Sequence, residues 1–228
     1  MISACGCNTQ GSIDLQCTER GQCLCQEGYT GTKCNLCSEG YFSAFGGECV
    51  LKSDYLGFSQ SGNVSVSKNN IAYTIQNYGP EFYVEFKLKI HKEPPNGWTN
   101  ILHVTDGSNI GAHGNRFPAL FLWYSSTAKY FSFTTTINDN VNYVHNANGV
   151  KLNHNYHIII SQTYNKNEKL MYNIVIDDEL VHSVENTNPI SVDVVQVYLS
   201  DPWYASIGDI GELYDISVLT NAKGPTGE

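Results

Sequence analysis

The segment "EFYVEFKLKIHK", residues 81–92, alternates apolar and charged side chains with a period of two. Its apolar set is Phe82, Val84, Phe86, Leu88 and Ile90, and its charged set is Glu81, Glu85, Lys87 and Lys89. Successive side chains of a strand point to opposite faces of a sheet, so the apolar face is expected to pack on a core. The pattern predicts an antiparallel strand with one buried face.

Shorter runs of the same kind follow along the chain. They read "TNILHVT", "ALFLWYSS", "YFSFTTTI", "YHIIISQTY", "LMYNIVI", "LVHSVE", "VVQVYLS" and "ELYDISVL". Turn residues separate them, and Asp177-Asp178 is typical of a tight hairpin turn. No run sustains helical periodicity. Roughly ten short strands with regular turns predict a mostly β protein with an antiparallel β-sandwich over residues 51–221, followed by a linker stub at 222–228.

The charge and apolar content of the 228 residues exclude two classes of function. The formal net charge is −9 and there are only two arginines, Arg20 and Arg116, so a nucleic-acid-binding face is not expected. No apolar run approaches the roughly 20 residues that span a bilayer. Met1 is followed at once by "ISACGC" rather than by a signal peptide, which predicts a mature fragment or an excised piece of a longer protein.

All eight cysteines lie between Cys5 and Cys49, with the spacing C-x-C-x9-C-x5-C-x-C-x8-C-x2-C-x11-C. A zinc site needs two close pairs of ligands around one ion, but these cysteines form one overlapping series, and no histidine precedes His91 to complete a mixed site. A redox dithiol normally opens a helix, whereas "CQEGYTGTKC" consists of turn residues. A segment with so small a core needs covalent crosslinks. Disulfides are therefore favoured over metal, and the compartment is predicted to be oxidising.

Residues 1–50 resemble a laminin-type EGF-like module. The resemblance rests on the C-x-C-N opening, the "GQCLC" centre, the "GYTGTKC" turn and the eighth cysteine. Eight cysteines allow 105 pairings. The family pattern implies four disulfides, namely Cys5–Cys17, Cys7–Cys23, Cys25–Cys34 and Cys37–Cys49. Such modules usually serve as rod segments and sometimes as docking sites.

Residues 55 to 220 resemble the concanavalin A-like jelly roll in its laminin G-type form. The matching features are "GWTNILHV", "RFPALFLWY", Tyr156-His157, the Asp177-Asp178 hairpin and a closing strand that starts at Gly208-Asp209-Ile210. Many laminin G domains end with a disulfide, and this segment has no cysteine to form one.

The residue patterns of hydrolases are missing, so the chain is not predicted to be an enzyme. Glucanases of the concanavalin type carry E-x-D-x-x-E on one strand, and the string is absent. The nearest acidic cluster, "IDDEL", falls on a turn. There is no G-x-S-x-G and no H-E-x-x-H. His154 and His157 would face opposite sides of a strand, which argues against a metal site.

Calcium is the one cofactor that the sequence suggests. Laminin G-type sandwiches often hold this ion at one rim, and the matching loop is "TDGSNIGAHGNRF", with Asp106 and Asn115 as candidate ligands. Asp201 and Asp209, which flank "PWYASIG", are weaker alternatives. The competing interpretation is an ordinary turn at Asp106-Gly107 and a loop-capping Asn115.

Aromatic side chains near turns suggest a ligand site. Candidates are Trp98, Trp203 and Tyr204, because sugar rings stack on aromatic faces while nearby polar groups bind hydroxyls. The alternative role for Trp98 and Trp203 is to plug the ends of the sandwich. Arg116, the sandwich's only arginine, either anchors a ligand carboxylate or forms an internal ion pair.

These features together predict an extracellular location, either secreted or in the ectodomain of a surface protein. Asn63-Val64-Ser65 is a glycosylation sequon, placed in a loop before the first strands. The predicted function is that of a structural or adhesive segment that contacts matrix or cell-surface proteins. Self-association as part of a longer array or filament belongs to the same prediction. The alternative is a glycan-binding lectin, with or without calcium.

Overall fold

The computed structural model describes residues 5–43, 48–51, 55–165 and 167–221. They form two compact units: the first comprises the residues up to Tyr55 together with Asn165 and Asn167, and the second comprises Leu56–Tyr164 and the residues from Glu168 onward. The predicted linker stub at 222–228 lies outside the described residues.

The first unit consists of three short antiparallel ribbons. Its strands are β1 (Ser12–Cys17), β2 (Cys23–Cys25), β3 (Tyr29–Thr30), β4 (Leu36–Cys37), β5 (Tyr41–Ser43) and β6 (Cys49–Leu51). Each ribbon joins two consecutive strands, β1 with β2, β3 with β4 and β5 with β6. The ribbons are close-packed at Gly11, where a Cβ would lie 2.1 Å from the carbonyl oxygen of Cys34 and 2.4 Å from the Tyr29 ring.

Four disulfides hold this unit. They join Cys5 to Cys17, Cys7 to Cys23, Cys25 to Cys34 and Cys37 to Cys49, the same pairs that the laminin-type resemblance implies. Cys34 is fully buried and adopts a positive φ of 54°. Exposed apolar side chains, including Ile13 and Leu15, show how little core the unit has. The crosslinks therefore supply the stability that burial cannot.

The second unit is a sandwich of two antiparallel sheets, which confirms the predicted fold class. Its strands are β7 (Leu56–Val64), β8 (Ile71–Tyr78), β9 (Glu81–Ile90), β10 (Gly97–Thr105), β11 (Ala119–Tyr124), β12 (Lys129–Ile137), β13 (Asn140–Asn148), β14 (Asn155–Tyr164), β15 (Leu170–Ile176), β16 (Glu179–Glu185), β17 (Val192–Tyr198), β18 (Ala205–Ser206) and β19 (Gly211–Asn221). Two short 3₁₀ turns lie at Ile110–Ala112 and Ile207–Asp209.

One sheet has the order β13-β12-β11-β10-β17-β8, with the short β18 parallel to β10, and the other has the order β16-β15-β14-β9-β19-β7. The first sandwich strand, β7, pairs antiparallel with the last, β19, and Leu56 lies opposite Thr220. The apolar face of β9, from Phe82 to Ile90, is buried in the core between the sheets. The prediction that residues 81–90 form a strand with its apolar face in the core is therefore confirmed.

Four strands of the sandwich were not predicted, namely the two-residue β18 and the longer β7, β8 and β13. The three longer strands lie at the edges of their sheets. Edge strands have a neighbour on one side only and tolerate polar residues, so they lack the apolar alternation of inner strands. The placement of Asn63 in a loop is wrong, because Asn63 is an exposed residue of β7. The expected strand start at Gly208-Asp209-Ile210 is also wrong, because Ile207–Asp209 form a 3₁₀ turn and β19 begins at Gly211.

A pair of stacked histidines joins the two sheets at one edge of the sandwich. His145 of β13 and His182 of β16 have ring centroids 4.2 Å apart and planes inclined by 18°. The Tyr143 hydroxyl lies 2.9 Å from His182 Nε2, and the Tyr172 ring packs against His182. Burial lowers the pKa of both histidines, and the nearby His145 lowers the pKa of His182 further. Two imidazoles at this distance stack well only while at least one is neutral.

The folding stability is therefore expected to fall as the pH drops below about 6.5, the ordinary pKa of an unfolded histidine. In that range the unfolded chain binds protons that the folded pair resists. Urea unfolding at pH 5 and pH 7 checks this, and His145→Gln should flatten the loss.

His157 provides a control of opposite sign. Its hydrogen bond to Glu85 raises its pKa, with a smaller contribution from Asp178. Its stabilising contribution is present below about pH 6.5 and is lost as the pH rises through the raised value. His157→Gln should deepen the acid-side loss, because the stability that His157 adds on protonation is removed. An equal acid-side loss in the wild type and in His145→Gln would contradict the assignment to the stacked pair.

Candidate functional site

The seven-stranded sheet turns a row of aromatic and polar side chains away from the core. On β12, Phe131 and Phe133 enter the core, so the alternate residues Tyr130, Ser132 and Thr134 lie on the outer face. The outer residues of β10 to β13 and of the loop after β17 surround an open cavity of about 290 Å³. We call this cavity the aromatic groove; it is lined by Trp98, Arg116, Phe121, Tyr130, Ser132, Thr134, Asn142, Val144, Asn146 and Tyr204.

Aromatic rings in tilted and edge-to-face contact form one wall of the aromatic groove. The Trp98 ring lies 4.6 Å from that of Trp123 and 6.1 Å from that of Tyr130, between ring centroids. Trp98 remains 36% exposed. At the other end, Phe121 and Tyr204 meet edge to face at 5.2 Å. Such a wall offers flat apolar surface to a ligand while its own packing restricts the rings.

Hydroxyl and amide groups form the floor and the opposite wall. Ser132 and Thr134 on β12 are buried, whereas Asn142 and Asn146 on the edge strand β13 are exposed. These side chains offer both donors and acceptors. An aromatic wall facing neutral polar groups suits a ligand with one apolar face and many hydroxyls.

A buried polar network fixes the loop that carries Tyr204. His103 of β10 and Asp201 are both fully buried, and His103 Nδ1 lies 3.0 Å from Asp201 Oδ2. The other oxygen of Asp201 accepts hydrogen bonds from the backbone N–H groups of Trp203 and Tyr204, each at 3.0 Å. The backbone N–H of Asp201 donates to the Asn100 side chain at 2.8 Å.

Both ring nitrogens of His103 face acceptors. Nδ1 faces the Asp201 carboxylate, and Nε2 lies 2.9 Å from the carbonyl oxygen of Asn115. An imidazole satisfies two acceptors only when both nitrogens carry protons, so the pair is an imidazolium and a carboxylate. This buried ion pair pins the Asp201–Tyr204 loop to β10 and to the Asn115 loop.

Tyr204 and its neighbours complete this end of the aromatic groove. Its hydroxyl lies 2.6 Å from His113 Nδ1. Burial raises the pKa of Tyr204, the positive charge of Arg116 opposes this, and Asp201 adds to it. The phenol therefore stays protonated at physiological pH and can donate a hydrogen bond.

The structure brings three of the four predicted ligand residues together. Trp98, Tyr204 and Arg116 line the aromatic groove, and Trp203 lies beside it, packed on His103 and His113. Trp98 and Trp203 do not plug the sandwich ends, because both lie on the outer face of the seven-stranded sheet. The expected internal ion pair of Arg116 is also wrong: in the described part of the chain its guanidinium contacts the Asn142 side chain, the Ala112 carbonyl and the Tyr204 phenol, none of them a carboxylate.

The predicted calcium ligands Asp106 and Asn115 are neighbours in the loop between β10 and β11. Asp106 Oδ1 accepts a hydrogen bond from the Ser108 backbone at 2.9 Å, and Oδ2 lies 3.4 Å from Asn115 Nδ2. Both carboxylate oxygens of Asp106 therefore already lie near hydrogen-bond donors of the protein. The alternative Asp201 is committed to His103, and Asp209 is exposed in a 3₁₀ turn. Within the described ranges no group of three or more His, Cys, Asp or Glu is arranged around a metal position. Calcium stays a prediction.

His154 precedes β14 rather than lying within it, so the strand argument did not apply to it. His154 Nε2 lies 2.6 Å from Asp177 Oδ2, and His157 Nε2 lies 2.9 Å from Glu85 Oε1. Asp177 and Asp178 both have positive φ, as a tight two-residue hairpin turn requires. The His154 contact ties the β15–β16 turn to the start of β14, and the His157 contact ties β14 to β9.

Sequence reasoning missed most of the wall and the floor. The missed residues are Phe121, Tyr130, Ser132, Thr134, Asn142, Val144 and Asn146. A signal was present in "KYFSFTTTI", where tyrosine, serine and threonine alternate with phenylalanine, and in the alternate asparagines of "NVNYVHNAN". The pairing of His103 with Asp201 had no local signal, because 98 residues separate them.

Comparison with known proteins identifies the first unit. Residues 5–49 match the family model "Laminin EGF domain". Laminin subunit gamma-1 of Danio rerio is 48% identical over 40 residues, which is 18% of this chain and 2% of that protein. The N-terminal segment is therefore a laminin EGF module, as the cysteine pattern predicted, and an extracellular matrix protein is the context of such modules. The match covers too little of the relative to transfer its activity or partners.

Two solved structures with similar folds superpose on much of this chain at low sequence identity. The receptor-binding domain of botulinum neurotoxin D superposes with a TM-score of 0.48 at 13% identity, covering 83% of this chain and 50% of that chain. The galectin LEC-6 of Caenorhabditis elegans gives a TM-score of 0.39 at 9% identity, covering 71% of this chain and 99% of that chain. TM-scores this low say nothing about ligands. The assignment of the sandwich to the laminin G type stays a prediction. In the ranges that the structure describes, no helix has the length and apolar character needed to cross a bilayer.

Proposed function

We propose that this chain is an extracellular adhesive segment, secreted or part of an ectodomain, whose sandwich binds a saccharide in the aromatic groove. The observation that carries the proposal is the exposed Trp98 ring, held by a tilted contact with Trp123 and an edge-to-face contact with Tyr130, opposite neutral polar side chains. Sugar rings have apolar C–H faces and hydroxyl edges, which match these two walls.

The size and rigidity of the aromatic groove support this proposal. Its volume of about 290 Å³ is at the lower end of the range for small-molecule pockets, roughly 300–1,000 Å³. The His103–Asp201 pair holds the Tyr204 loop in place before any ligand arrives, so little ordering accompanies binding. A second cavity of about 310 Å³, between β7 and β8, has only one aromatic lining residue, Phe58.

The EGF module has a mechanical role in this proposal. Four crosslinks within 45 residues make it a short, stiff connector that would hold the sandwich away from its neighbours in a longer array. Matrix or cell-surface glycans are then the partners of the sandwich. Adhesion through protein contacts is the competing function.

A glycan array probed with the full chain, once with calcium and once with chelator, tests the proposal. We expect selective, saturable signals. Trp98→Ala should weaken binding at least about tenfold, because a lost stacking contact removes roughly 1.4 kcal/mol. Tyr73→Ala, which removes a partly exposed tyrosine on β8 outside the groove, should leave binding unchanged.

The outcomes separate the two functions. Binding that both variants lose equally would place the site elsewhere. A blank array under both conditions would reject saccharide binding and leave protein-mediated adhesion. Binding that is present with calcium and lost with chelator would support a calcium site at Asp106 and Asn115.

A further inference from the structure

The aromatic groove contains one charged side chain in the described part of the chain, Arg116. The protein as a whole carries a net charge of −9, yet within the described residues no carboxylate lies within ion-pair distance of this guanidinium. Among the described residues, its positive charge faces neutral dipoles and the Phe121 ring, 5.8 Å away. An uncompensated charge at a partly desolvated site is unfavourable until an anion arrives.

The hydrogen bonds of Arg116 are uneven. Nη1 donates to the Asn142 side chain. Nη2 reaches the Ala112 carbonyl only at 3.5 Å, and Nε is shielded from water and has no hydrogen-bond acceptor among the described residues. A shielded Nε is closed to a ligand as well, so an anion in the aromatic groove would meet the Nη1–Nη2 end of the guanidinium, which can pair with a planar carboxylate through two hydrogen bonds. The Asn142 contact thus fixes the guanidinium, while the long Ala112 contact leaves Nη2 under-used.

From this geometry we infer that the saccharide is acidic, with a sugar carboxylate paired to the Nη1–Nη2 end of the Arg116 guanidinium. The inference rests on the proposed function and names its ligand class. Trp98 stacks on one sugar ring, and the Tyr204 hydroxyl, beside the guanidinium, contacts an oxygen of the acidic sugar or its neighbour. A sulfate ester would use the same charge but lacks the planar two-oxygen match.

Matched probes test this directly. The array carries uronic-acid and sialic-acid oligosaccharides beside the same compounds with the carboxylate methyl-esterified, and sulfated neutral oligosaccharides as a third arm. We expect wild-type binding to fall at least about tenfold on esterification, the loss of one charge-assisted contact. Binding should also weaken as salt rises, since part of the attraction is screened.

Variants assign the effect to Arg116. Arg116→Gln should reduce binding of the acids to the level of their esters, and Arg116→Lys, which keeps the charge but not the two-pronged edge, should retain part of it. Lys151→Gln removes the same charge from an exposed loop residue and should change nothing. Thermal unfolding of each variant, compared with that of the wild type, excludes misfolding. If Arg116→Gln is misfolded, the binding of Arg116→Lys and the comparison of acids with esters on the wild type still test the inference.

Equal binding of acids and esters would overturn the inference while leaving saccharide binding in place. Full binding of the acids by Arg116→Gln would do the same. A preference for the sulfated arm would replace the carboxylate with a sulfate. A blank array would reject the proposed function and this inference with it.

Discussion

Replacing Asp201 with alanine is expected to lower the free energy of unfolding by about 3–5 kcal/mol, the usual result of removing one partner of a buried ion pair. Asp201 and His103 are both fully buried, so the substitution leaves a protonated imidazole without its anion. The backbone N–H groups of Trp203 and Tyr204 also lose their acceptor. Urea unfolding followed by tryptophan fluorescence measures the loss.

Asp201→Asn separates charge from hydrogen bonding. The amide oxygen can still accept from the two backbone groups, and the amide nitrogen can donate to a neutral His103 at Nδ1. We expect a loss of about 1 kcal/mol, since one charge-assisted hydrogen bond becomes neutral. The exposed Asp209→Ala should stay within about 0.5 kcal/mol of the wild type. If alanine and asparagine at position 201 cost the same small amount, the pair is not ionic.

Removing the Cys25–Cys34 disulfide by a double serine substitution is expected to unfold the EGF module. Loss of a native disulfide from a small extracellular domain costs about 2–5 kcal/mol, and this unit has little core to offset it. Arg20 and Lys33 lie within the module and become accessible to trypsin when it unfolds. Limited proteolysis analysed by mass spectrometry should find both cleaved early.

The sandwich supplies an internal control for that experiment. Its core cluster consists of residues between Val64 and Val218, a segment without cysteine. Tryptic sites such as Lys87 in β9 should therefore remain protected in the double variant. Continued protection of Arg20 and Lys33 would show that three disulfides suffice.

The parts of this protein that sequence could predict are those with a short-range physical signature. The cysteine spacing and the alternation in residues 81–90 each constrain neighbours in sequence, and both led to correct statements about the fold. The edge strands β7, β8 and β13 were missed because exposure frees their residues from the apolar pattern that reveals inner strands.

The candidate site was predictable only in fragments. Trp98 and Arg116 stood out as rare residue types, and Tyr204 as an aromatic residue near a turn. Their meeting in one groove depends on the pairing of β10 with β11 and with β17, which no local pattern specifies. The residues between them, such as Ser132 and Asn146, are ordinary surface choices until the sheet places them side by side.

The pairing of β7 with β19 has a consequence for a protein that carries tension. Leu56 and Thr220 are opposite each other, so the chain enters and leaves the sandwich at one end of the same strand pair. A pull on these two points loads the hydrogen bonds one after another, as in opening a zipper, instead of all together. The edge strand β7 should detach first and at low force, whereas the neighbouring β9–β19 pairing would still hold. Under stretch the sandwich would thus lengthen in a small first step and re-form when the load is released.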